Sequence, residues 1–125
     1  MENKNYAIEV CGVNRIFPIP GGEFQALTDI NVQIPTGALA VLKGRSGSGK
    51  TTLMNIIGAL DYPTSGKVLI DGEDIVALND QKREVLRRTH VGFVFQSVSL
   101  IPTMNAFQNV EFSLRLAGIK EGRKE

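Results

Sequence analysis

Tryptophan is missing from these 125 residues, cysteine and histidine occur once each, and neither sign of charge dominates. Each shortage removes a class of explanation. The one cysteine, Cys11, cannot close an internal disulfide, which predicts a reducing compartment. It lies in the apolar run Ala7 to Val13, so its expected role is that of a small buried hydrophobe. Fourteen basic and 13 acidic residues leave a net charge of +1. That offers no electrostatic case for nucleic acid or an anionic membrane as the main partner. No apolar run approaches the ~18–20 residues that span a bilayer. The first residues, Met1 to Tyr6, lack the apolar core of a signal peptide, so a cytoplasmic protein is expected. With 42% hydrophobic and 22% charged residues, the composition is that of one small globular domain.

What is present centres on Gly44-Arg45-Ser46-Gly47-Ser48-Gly49-Lys50-Thr51. An apolar run, Ala38 to Leu42, precedes it, and Thr52 to Ile57 can continue as a helix. Strand, glycine-rich loop and helix form the context in which G-x-x-x-x-G-K-T becomes a phosphate-binding loop. Glycines at 44, 47 and 49 let successive N–H groups curl inward around an anion. The helix beginning near Lys50 adds its free N–H groups and its positive end. Lys50 supplies a mobile charge for the β- and γ-phosphates, and the Thr51 hydroxyl is placed to ligand Mg²⁺. The predicted phosphate site is therefore Gly44, Arg45, Ser46, Gly47, Ser48, Gly49, Lys50, Thr51 and Thr52. A plain glycine-rich turn is the competing reading, and the flanking strand and helix argue against it.

Residues 6–13 read as a strand. Pro18-Ile19-Pro20-Gly21-Gly22 reads as a loop. Between Phe24 and Ile34, Ile30, Val32 and Ile34 alternate with polar neighbours, as in a half-buried strand. Residues 38–42 read as a strand buried on both faces, as in a parallel sheet. A helix over about 50–59 follows. Lys67 to Ile70 is then a short strand closed by the turn dipeptide Asp71-Gly72. Residues 79–89 predict a helix capped by Asn79 or Asp80, with Arg87 and Arg88 suiting its last turn. Its arginines share the helix with Asp80 and Glu84, so they read as a solvated face rather than a nucleic-acid patch. Val91 to Phe95 reads as a buried strand with His90 at its edge. Asn105 to Leu116 predicts an amphipathic helix with Phe107, Val110, Leu114 and Ala117 spaced for one face. The tail from Lys120 to Glu125 is charged and reads as an exposed end or a cut.

The order of these motifs resembles the ATP-binding-cassette ATPases that drive membrane transporters, in particular the lipoprotein-releasing and macrolide-exporting subgroup. Leu53 to Asp61, Pro63 to Gly66, Val91 to Gln96 and Leu100-Ile101-Pro102 carry the resemblance, which runs from about residue 6 to the end. It implies an α/β fold, the phosphate-loop NTPase of cassette type, here an antiparallel β lobe with the loop's strand and helix. It also implies ATP and Mg²⁺ as ligands. Gln96 matches the glutamine that ligands Mg²⁺ or orients the attacking water, beside a plain reading as a polar strand end. Phe17 falls where the family stacks an aromatic on adenine. Tyrosine is usual there, so phenylalanine keeps the π-face and loses the hydroxyl. Residues 97–110 fall where the family meets its permease, and their apolar side chains suit core as well. A second cassette subunit is the other implied partner, and the location implied is peripheral, on the inner membrane face through the permease.

The same resemblance exposes a gap. No Ser-Gly-Gly signature loop, no second acidic motif with a catalytic glutamate and no switch histidine occur in residues 1–125. Asp71 superficially suits the Mg²⁺-binding aspartate, but Gly72 follows it and a hairpin turn is the better reading. The chain offers no general base. Lys50 and Gln96 would only assist by stabilising charge and placing water or metal. We expect roughly the first half of one nucleotide-binding domain, with an unpaired edge at 38–42 and marginal stability on its own. The alternative is a non-hydrolytic module that holds nucleotide or a permease. A small kinase, a GTPase or a DNA-repair cassette explains residues 61–72 and 91–102 less well.

Overall fold

In a computed structural model, residues 6–45, 47–94 and 100–118 are described. They divide into two compact units, Met1–Arg83 and Glu84–Glu125. The first is built on an antiparallel sheet of four strands in the order β2-β1-β3-β4. Here β1 is Tyr6–Ile19, β2 Gly22–Pro35, β3 Ser65–Ile70 and β4 Glu73–Asp74. Helix α1, Lys50–Ile57, lies against β1 and β2. Val10, Val13, Leu27, Leu53, Ile56, Ala59, Val68 and Ile75 form the buried core of this unit.

The hairpin β1–β2 is longer and tighter than the sequence suggests. The proline- and glycine-rich stretch read as a loop is largely strand: Pro18 pairs with Glu23 and Ile19 with Gly22. Proline is tolerated at an edge or strand end, where its missing N–H breaks no central ladder. The expected alternation holds, with Ile30, Val32 and Ile34 more buried than their exposed neighbours Asn31 and Gln33. Register shifts fall between Val10 and Val13 and between Val13 and Arg15. Side chains supply the bonds that the ladder loses there. Asn31 Oδ1 accepts from Gly12 N–H at 2.8 Å, and Asn14 Oδ1 accepts from Asp29 N–H at 2.9 Å. Gly66, at φ 92°, lies so close to β1 that an added Cβ would stand 2.3 Å from the Gly12 carbonyl oxygen. Only glycine fits at 66. Cys11, expected in the core, is half-buried in this strand.

Asp71 and Gly72 both take positive φ, 50° and 85°, and join β3 to β4. This is the geometry of a two-residue hairpin turn, and it gives Asp71 the turn role expected. The run 38–42 departs from expectation. It forms no strand ladder; Leu39 is 92% and Val41 71% exposed. An apolar strand meant for burial on both faces needs neighbours on both edges, and the described sheet presents none to it. The helix after the loop ends at Ile57, two residues early, because Gly58 caps it and Ala59 turns left-handed at φ 64°.

Helix α2, Asp80–His90, crosses from one unit into the next. Asn79 starts it, its Oδ1 accepting from Lys82 N–H at 2.9 Å. His90 ends this helix rather than edging a strand, and its Nδ1 meets Thr89 Oγ1 at 2.7 Å. Residues 91–94 form no regular element, and Val94 is fully exposed; Phe95 lies outside the described residues. In the second unit α3 is Ala106–Leu116, opened by a capping box in which Asn105 and Gln108 exchange bonds. Asn109 closes the preceding loop, donating to the Met104 carbonyl at 3.1 Å and accepting from Ile101 N–H at 2.8 Å.

Candidate functional site

The loop from Gly44 to Gly49 is shaped by its glycines and by the strand beneath it. Gly47 and Gly49 take positive φ, 80° and 98°, a region closed to most residues. Gly49 is the N-cap of α1, and a Cβ there would stand 2.7 Å from the Ala26 carbonyl oxygen and 2.9 Å from Leu27 Cδ2. The turn is therefore seated directly on β2. A Cβ on Gly44 would meet Ser48 Oγ at 2.5 Å. Ser48 N–H donates to the Arg45 carbonyl at 3.1 Å, and Leu53 N–H to the Gly49 carbonyl at 2.9 Å.

Among the described residues no side chain caps α1, and its first turn carries no acidic residue. Its N–H groups and the positive end of its dipole thus remain available to an anion. The Lys50 ammonium folds back over the loop, donating to the Gly44 carbonyl and, at 2.8 Å, to that of Arg45. Ser48 Oγ lies 3.5 Å away. These are exchangeable bonds: an arriving phosphate oxygen offers the ammonium a charged acceptor in place of neutral ones. Thr51 and Thr52 occupy the first turn, with Thr51 exposed. The donor set fits the phosphates of a nucleotide, and an exposed hydroxyl fits a hard cation bound to them.

The sequence-derived set is only partly brought together. Gly44 and Arg45, on one side of residue 46, and Gly47, Ser48, Gly49, Lys50, Thr51 and Thr52, on the other, make up one loop and helix start. Ser46 and Gln96 lie outside the described residues. Phe17 stands on β1, paired with Phe24, half-buried, and its ring faces the Arg15 guanidinium at 4.2 Å. Arg15 in turn binds Asp61 through Nε at 3.0 Å and Nη2 at 3.3 Å.

Arg83 lies in the helix whose arginines read as a solvated face, yet it is 2% exposed. Its Nη1 donates to the Ile75 carbonyl at 3.0 Å and its Nη2 to the Asp61 carbonyl at 2.9 Å, with the Tyr62 ring 3.9 Å from the guanidinium carbon. In the second unit, an open groove of about 450 Å³ is lined by Glu84, Arg87, Arg88, Phe93 and Leu116, among others. None of the described residues of the predicted nucleotide site lines it.

Residues 27–125 match the family model described as ABC transporter. The chain belongs to that family. This cassette chain is 44% identical over 117 residues to a probable syringafactin export ATP-binding/permease protein of Pseudomonas syringae, covering 94% of itself and 18% of that protein. It is 42% identical over 118 residues to a macrolide export ATP-binding/permease protein of Salmonella choleraesuis, again covering 94% of itself and 18% of the relative. The fold resembles that of the ATP-binding cassette MJ0796, solved as a dimer in a post-hydrolysis state with ADP and phosphate. There the TM-score is 0.85 at 37% identity, over 94% of this chain and 51% of that one. The cassette chain thus spans less than a fifth of those curated relatives and about half of the solved cassette. Its relatives are ATP-binding proteins of export systems, as the motifs around the loop implied. Among the described residues no helix is long and apolar enough to cross a membrane.

Proposed function

We propose that this chain is the leading part of the nucleotide-binding domain of an ATP-driven exporter. In the whole protein, ATP binding and hydrolysis would drive a permease that exports or extracts its substrate. One observation carries the reading: α1 opens without a side-chain cap, behind a loop held open by Gly47 and Gly49, with Lys50 folded across it. That is an anion cradle with its counter-charge in place. Gly44 to Thr52 hold the phosphates, Phe17 takes the adenine, and Thr51 with Gln96 holds Mg²⁺. The metal, when bound, neutralises charge on the phosphate oxygens. Lys50 stabilises charge there, and Gln96 places water or metal.

Hydrolysis is assigned to the assembled protein. Among the described residues no group is placed as a general base, and we assign the completion of the site to a second cassette subunit and further chain. The permease contact is assigned to the region near 97–110. Leu100, Phe107 and Val110 are exposed there, as a partner's apolar contact would require. Through that contact the protein sits on the cytoplasmic face of the membrane.

The test is ATP binding and turnover by the protein as the cell makes it, with and without Lys50→Ala. At least tenfold weaker ATP binding and loss of turnover are expected. Unchanged affinity would refute the site. Retained binding with no turnover in the unsubstituted protein would favour the non-hydrolytic module instead.

A further inference from the structure

We propose that Arg15 is a positioning residue for the nucleotide base. Its guanidinium, locked by Asp61, holds the Phe17 ring ready to stack a purine on its opposite face. The inference rests on the reading of Phe17 as a base platform and goes beyond it by naming what fixes the platform.

The argument begins with what phenylalanine lacks. Without a hydroxyl, its ring has no hydrogen bond through which to be oriented, so its orientation is set by what lies on its faces. One face is taken: the guanidinium carbon of Arg15 lies 4.2 Å from the ring centroid. Arg15 is not free to swing away. Its Nε and Nη2 grip the two Asp61 oxygens at 3.0 and 3.3 Å, and its Nη1 donates to the Ile16 carbonyl at 3.4 Å. This two-point geometry fixes the plane of the fork as well as its position.

Asp61 is anchored in turn. Its Oδ1 accepts from Tyr62 N–H at 2.8 Å, and its backbone carbonyl accepts from buried Arg83 at 2.9 Å. The side chains of Arg15 and Asp61 are only 22% and 31% exposed, so the pair is partly shielded from water and salt. A cation against one face of a ring also draws π density toward itself. The other face becomes less negative and accepts an electron-rich purine more readily.

The experiment measures dissociation constants of the protein, as the cell makes it, for Mg·ATP and for inorganic tripolyphosphate, which carries the phosphates and no base. Variants are Phe17→Ala, Arg15→Ala and the double substitution, with melting temperatures recorded alongside. Arg15→Ala is expected to weaken ATP about fivefold and to leave tripolyphosphate unchanged. In the Phe17→Ala background it should add nothing, because Arg15 acts through that ring. If Arg15→Ala does not fold, Arg15→Lys, which keeps the charge and loses the planar fork, carries the same comparison. If Phe17→Ala lowers the preference for ATP over tripolyphosphate and Arg15→Ala does not, the positioning role is overturned while the platform stands. Equal weakening of both ligands by Arg15→Ala would mark a structural role and overturn it as well. If Phe17→Ala leaves the preference unchanged, the platform reading falls and this inference falls with it.

Discussion

Removing the Arg83 guanidinium should destabilise the fold by about 3 kcal/mol. The figure follows from its surroundings. Two hydrogen bonds from a charged donor reach the Ile75 and Asp61 carbonyls, each contributing roughly 1.5–3 kcal/mol. The Tyr62 ring adds about 0.5–2 kcal/mol. Against this gross gain of about 4–8 kcal/mol stands the desolvation of a guanidinium that is 2% exposed, which costs several kcal/mol. An alanine variant no longer bears that cost, but it leaves the buried Ile75 carbonyl and the part-buried Asp61 carbonyl in need of donors, at about 1–3 kcal/mol each unless water enters. Arg83→Lys keeps a charge without the fork and should lose about 2 kcal/mol, since one ammonium does not reproduce the spread of two planar donors. The assay is urea unfolding of the protein as the cell makes it. With a slope of about 1–3 kcal/mol per molar, Arg83→Ala should lower the midpoint by about 1–3 M at unchanged slope. Arg83→Met supplies the refutation. If it matches or exceeds the parent in stability, the buried charge is a net cost and the reasoning fails.

Gly49→Ala should lose ATP binding and about 3 kcal/mol of stability, combining left-handed strain of about 1–2 kcal/mol with a Cβ 2.7 Å from the Ala26 carbonyl oxygen; a melting temperature within about 2 °C of the parent would contradict it. Asn105→Ala removes the capping box of α3 and should cost about 1 kcal/mol. Faster hydrogen exchange at the Gln108 amide would report that loss, with Asn105→Asp restoring protection. Residues 1–125 produced alone should aggregate through the exposed run 38–42 and hydrolyse no ATP. Leu39→Lys with Val41→Lys should raise the soluble fraction, whereas turnover abolished by Lys50→Ala would overturn the assignment of hydrolysis to the whole assembly.

Local chemistry made much of this fold legible. The glycine-rich turn into α1 is readable because its glycines and the helix start act over a few consecutive residues. The Asp71-Gly72 turn and the helix starts at Asn79 and Asn105 are readable for the same reason. What was misread depends on distant neighbours. Residues 38–42 have strand composition but no ladder, since pairing is a property of two segments. Arg83 looks like its exposed neighbours Lys82 and Arg88 in sequence, and only the fold brings Asp61, Tyr62 and Ile75 around it. The proline-rich stretch 18–22 signalled a loop correctly in part, because the chain does reverse there. Its strands simply run to within two residues of the turn.

The long hairpin that seats Gly49 also sets an order of events during folding. Strands β1 and β2 are joined by a two-residue turn, whereas β1 must wait for a far more distant segment to pair with β3. A hairpin forms in about 1–10 μs, and pairings that close longer loops cost more entropy and come later. The surface of Ala26 and Leu27 against which Gly49 rests is therefore laid down by local pairing before the sheet is complete. The mould is set before the part cast in it arrives.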